Sequence, residues 1–73
     1  MEMKTPDMQF AAYLLTLGYP LSRLEGDSRR RVFVFGQCPE DAALAYYQGR
    51  DQVSARRLFG AYRDLKSLVF RAQ

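Results

Sequence analysis

Histidine and tryptophan are absent from this chain, and cysteine occurs once, at Cys38. Without histidine or a second cysteine the usual zinc sites cannot be assembled. One thiol cannot staple a small secreted scaffold either. The same shortage removes the commonest general base and the partner that would activate the thiol. Long apolar runs are missing too: the longest, Phe10 to Leu15, falls far short of a membrane span. The first residues show no basic stretch followed by an apolar one, so no secretory leader is expected and a reducing cytoplasm is the predicted setting. The glycines stand singly, which leaves no phosphate-cradling loop. No catalysis, metal, cofactor or membrane insertion is therefore expected, and a binding module is.

What the chain does contain is apolar and arginine-rich. Its 73 residues make one small domain, residues 1–73, and 48% of them are hydrophobic, with five Phe and five Tyr. That supply suffices for a core and argues against disorder. Eleven basic residues against eight acidic ones leave +3, and most of the basic residues are arginine. The charge is uneven: residues 1–22 carry −1, 23–31 carry +2, 37–53 carry −2, and 54–73 carry +4. A field concentrated in two places permits an anionic partner.

Four elements follow from the pattern. In "TPDMQFAAYLLTLGY" Thr5 suits an N-cap, Pro6 the first helical position, Asp7 the positive end of the dipole and Gly18 the stop, with residues 1–4 left as a flexible tail. Only Gln9 and Thr16 are polar between those ends, which predicts a helix buried on several sides. A β-hairpin is expected next, Pro20 to Glu25 against Arg30 to Phe35, turning at Gly26 and Asp27, with a bulge in its first strand. Its edges are left open to pairing. Pro39, Glu40, Asp41 and Gly49 delimit a helix of about ten residues. The last helix runs from Ser54 or Ala55 to Arg71 on a core stripe of Leu58, Tyr62, Leu65 and Val69. The predicted class is α+β: helix, β-hairpin, helix, long C-terminal helix.

Several short motifs resemble a family of bacterial and phage-associated domains of unknown function. They are D-x-x-x-A-A-Y-L at Asp7 to Leu14, G-Y at Gly18 and Tyr19, V-F-x-F at Val32 to Phe35, Y-Y-x-G at Tyr46 to Gly49, V-x-A-x-x-x-F at Val53 to Phe59, and R-x-L-K-x-L at Arg63 to Leu68. The resemblance implies a free-standing bacterial or phage domain and supplies no activity.

Candidate binding residues fall into three groups. On a helical wheel of about 100° per residue, Phe59, Arg63, Lys66 and Phe70 share one sector of the last helix, with Arg56 beside them. Rings interleaved with cations can stack bases and hold phosphates. Alternatively, the phenylalanines close the rim of the core and the basic stems lie over it. Arg56 and Arg57 sit in a first turn, where they oppose the dipole unless they bind phosphate or pair with Asp51, Glu40 or Asp41. Arg29, Arg30 and Arg31 guard an exposed ribbon against aggregation or carry it to a nucleic-acid groove. Of Tyr46 and Tyr47 one must face outward, and with Phe33 and Phe35 they are the candidate protein interface. Glu40 and Asp41 point away from each other and read as dipole stabilisers, and Cys38 reads as a buried thiol. The leading expectation is a basic nucleic-acid-binding domain whose ribbon and helix arginines converge on one face. The alternative is a protein-interaction module, either a homodimer or an adaptor occupying a host protein.

Overall fold

The computed structural model describes residues 2–27, 29–39, 41–49 and 51–71. Its elements are β1 Met3–Thr5, α1 Met8–Thr16, β2 Leu21–Asp27, β3 Arg30–Phe35, α2 Ala42–Tyr47 and α3 Ala55–Arg71. The fold is α+β. The strands form one antiparallel sheet in the order β1-β3-β2, so β3 is central.

The first correction lies at the N-terminus. Met3 and Lys4, expected in a tail, pair with Phe35 and Val34, and Thr5 pairs with Phe33. A three-residue strand carries almost no local signal, and the ladder offered by β3 creates it. Thr5 therefore ends a strand instead of capping a helix. Asp7 takes the cap, its Oδ1 accepting the N–H groups of Gln9 at 2.9 Å and Phe10 at 3.2 Å. The helix stops where Gly18 predicted. Gly18 adopts φ 99°, and the N–H groups of Gly18 and Tyr19 reach the carbonyls of Leu15 and Leu14.

β1 and β2 both run antiparallel to β3, so they are parallel to each other with β3 inserted between them. α1 is the crossover that joins them and must run back along the sheet. The hairpin register skips a residue between Leu21 and Arg23, the predicted bulge. At its turn Asp27 Oδ1 accepts the N–H groups of Arg29 and Arg30. Gly26 lies at φ 87°, and a Cβ there would come 1.9 Å from the Arg30 carbonyl oxygen, so only glycine fits.

Phe33 and Phe35 project from the same sheet face and are fully buried there, in one cluster with Phe10, Tyr13 and Leu14 of α1 and with Ala42 and Leu65. They are core residues, and their assignment to an interface is corrected. α2 is also shorter than expected. It starts after Asp41, whose side chain makes no capping bond, and spans six residues. The role assigned to Glu40 lies outside the described residues. α3 matches its expected span, with Ser54 Oγ accepting the Arg57 N–H at 3.4 Å. Leu65 is buried, and Leu58, Tyr62 and Val69 are half-buried against the cluster.

Candidate functional site

The charges of this fold divide into a closed set and an open one. On the sheet face away from α1, the register sets Lys4 and Arg23 on either side of Val34. Glu25 accepts from Arg23 at 2.7 Å and from Lys4 at 3.3 Å, and Glu2 pairs with Arg23 at 3.3 Å. Val34 is fully buried yet lies outside the cluster under the helices, which fits a cover made from the stems of these long side chains. The Glu25 carboxyl is held below its ordinary range, first by the hydrogen bonds from Arg23 and then by those from Lys4.

α3 presents the open set. Phe59 and Phe70 are 70% and 77% exposed, so they do not close the rim of the core. Arg56, Arg63 and Lys66 are exposed in the same sector and make no ion pair with any described residue. Asp64 projects about 80° or more away from these residues, and no ion pair joins it to them. The Lys66 ammonium stands 5.8 Å from the centroid of the Tyr62 ring, a cation–π contact one turn apart. Tyr62, Arg63, Lys66, Ser67, Phe70 and Arg71 outline an open depression here.

Tyr62 also borders a second depression. This groove, of about 200 Å³, is lined by Gln9 and Ala12 of α1, Tyr46 of α2, and Leu58, Phe59 and Tyr62 of α3. Its α2 wall is fixed by ring contacts of Tyr46 with Phe10 at 5.2 Å and with Tyr13 at 5.0 Å. Gln9 and Tyr46 bring a polar function to this apolar lining. The sequence signal that could have found the groove is Gln9, one of two polar residues in a mostly apolar helix, and its use depends on where α2 and α3 dock.

The other predicted residues separate. Arg57, although exposed, reaches the end of α1, donating from Nη2 to the Thr16 carbonyl at 3.3 Å. It thereby satisfies an end carbonyl of α1 and places a cation at the negative end of that dipole. The expected partner Asp51 is engaged elsewhere, accepting the Tyr13 hydroxyl and the Gln52 N–H. Burial first, and then this bond to Asp51, push the Tyr13 hydroxyl up to about 12. Arg31 is half-buried and donates to the Gly26 carbonyl at 3.2 Å, which braces the hairpin. Arg29 and Arg30 are exposed. Tyr46 faces inward, while Tyr47 is 62% exposed with its hydroxyl on Asp7 at 2.7 Å. Cys38 is buried, and desolvation raises its thiol above the ordinary value, the opposite of an activated nucleophile.

The orientation of α3 decides which arginines share an end of the molecule. Arg57 meets Thr16, while Leu58, Phe59 and Tyr62 border Gln9 and Ala12, so α3 runs antiparallel to α1. The C-terminal half of α3 therefore extends past the start of α1. The sheet register puts that start at the hairpin-turn end, since Thr5 pairs with Phe33. Arg29 and Arg30 thus share an end with Arg63 and Lys66, and Arg56 lies toward the other.

Among the described residues no group of three His, Cys, Asp or Glu side chains could hold a metal, and no helix is long and apolar enough to cross a membrane. No protein-family model, curated protein or solved structure matches the chain. Function therefore has to be argued from the site.

Proposed function

We propose that the chain is a non-enzymatic, cytoplasmic nucleic-acid-binding domain that uses the outer face of α3. The observation that carries this reading is the stripe of Phe59, Arg63, Lys66 and Phe70, in which exposed rings alternate with cations that no described carboxylate neutralises. The two rings are eleven residues apart, about 16 Å along the helix, with the cations between them. A polyanion that also offers flat apolar faces complements both features at once. Arg29 and Arg30 add phosphate contacts from the hairpin, while Arg31 and Arg57 serve the fold.

A second copy of the chain complements the stripe poorly. Antiparallel two-fold pairing of α3 centred between Asp64 and Leu65 would bring Phe59 onto Phe70 but Arg63 onto Lys66. Parallel pairing sets each cation on itself. Like charges in contact oppose either arrangement. A protein adaptor is the second reading, favoured by Leu44 at 53% exposure beside exposed Tyr47 on α2.

Salt titration of binding to a short oligonucleotide tests the proposal. Affinity should fall roughly tenfold or more between about 50 and 200 mM salt. Arg63→Glu combined with Lys66→Glu should lower affinity by about a hundredfold at 50 mM salt while stability stays within about 0.5 kcal/mol. Absence of binding by the unaltered protein at that salt removes the reading and leaves the adaptor.

A further inference from the structure

The groove beside the stripe goes further than phosphate contact. We infer that it receives one unstacked base of a single strand, so that the domain prefers single-stranded to duplex nucleic acid. This rests on the nucleic-acid reading and adds a ligand class to it.

Ala12 forms the floor, where the small side chain leaves the space that a larger one would fill. Tyr46, Phe59 and Tyr62 supply ring surfaces around it, and Leu58 completes the apolar lining. About 200 Å³ lies below the range of pockets that take drug-sized ligands and suits one flat ring system. The position of Tyr62 connects this space to the cations. The residue borders both the groove and the depression that holds Arg63 and Lys66. A ligand seated across Tyr62 needs an apolar plane joined to an anion, which is the chemistry of a nucleotide within a strand.

Gln9 supplies the means of reading that plane. Its side-chain amide offers both donors and an acceptor and has no hydrogen bond to a described residue, and the residue is exposed. A base edge carrying a donor beside an acceptor matches it. Its backbone N–H is held by Asp7, so the residue begins from a fixed point. Bases inside a duplex present no free face to such a groove, whereas unpaired strands can splay a base into it.

Fluorescence anisotropy at about 50 mM salt with three short probes decides the matter. The probes are a single strand, its duplex, and the same single strand with its bases removed. The intact single strand should bind at least about tenfold tighter than the other two. Phe59→Ala should erase most of that difference. Gln9→Ala should flatten the preference among homopolymers of different bases without changing the salt slope. Equal affinity for intact and base-free strands, with Arg63→Glu/Lys66→Glu still abolishing binding, overturns base insertion and ring stacking together and leaves nucleic-acid binding through phosphate contacts alone. Failure of all three probes to bind the unaltered protein overturns both.

Discussion

The outer face of the sheet and the outer face of α3 are built from the same materials and finished differently. Both mix long cationic side chains with apolar groups. On the sheet, Lys4 and Arg23 have Glu2 and Glu25 within reach, and Val34 between them is fully buried. On α3, Arg63 and Lys66 have no described carboxylate, and Phe59 and Phe70 stand largely in solvent. One surface is complete in itself, and the other has unmet charge and unmet apolar area side by side. Net charge therefore says little about where a partner would bind. The location of unpaired cations says much more, because a self-neutralised network has no field left to offer.

The sharpest test of this contrast exchanges burial for exposure. Val34→Ala should destabilise the domain by about 1–3 kcal/mol in denaturant unfolding and leave oligonucleotide affinity unchanged. Phe70→Ala should do the reverse, shifting stability by less than about 0.5 kcal/mol and weakening binding by about 1–3 kcal/mol if the ring stacks on a base. Destabilisation by Phe70→Ala comparable to that of Val34→Ala would make the α3 ring a structural part.

A medium effect belongs to Tyr13, which fastens the segment between α2 and α3 through Asp51. Tyr13→Phe should cost about 0.5–1.5 kcal/mol. The hydroxyl is raised to about 12 in the fold, against 10.0 ordinarily. The protonated form is thus the one that the folded state favours. Its contribution is complete below the unfolded value and is lost as pH rises through about 12. Thermal melts above pH 10 should fall more steeply for the unaltered protein than for Tyr13→Phe.

The smallest effect is in acid. Glu25 is depressed in the folded state, so its contribution is present above the unfolded carboxylate value and disappears as pH falls through the folded one. The group is exposed and screened, so the acid limb of a thermal-stability profile should change only slightly in Glu25→Gln. The difference should vanish in about 1 M salt. Oligonucleotide affinity should be indifferent to this substitution.

How much of this was legible in the sequence varied with the range of the interactions involved. The span of α3, its core stripe and the Phe59, Arg63, Lys66 and Phe70 sector follow from helical spacing, which is local. The hairpin and its bulge follow from turn residues and broken alternation. β1 has no such signal, because a Met-Lys-Thr strand exists only through its ladder with β3. Phe33 and Phe35 are core residues because α1 covers their face of the sheet, a long-range contact that strand alternation does not reveal. α2 is shorter than its delimiting residues suggest, since the chain before it makes a tight turn in which the Pro39 carbonyl accepts the Ala42 N–H. Arg57 could not be resolved from its position in a first turn. Its partner is a carbonyl on α1, forty-one residues away in the chain. The groove depends on three helices docking, and only Gln9 hinted at it.

Amide NMR mapping of nitrogen-labelled protein during titration with a single-stranded oligonucleotide tests the contrast between the two faces most directly. Signals of Phe59, Tyr62, Arg63, Lys66 and Phe70 should shift, with Gln9 among them, while those of Lys4, Arg23, Glu25 and Val34 stay still. Movement concentrated on the sheet residues, or no movement along α3 at saturating ligand, would contradict the account.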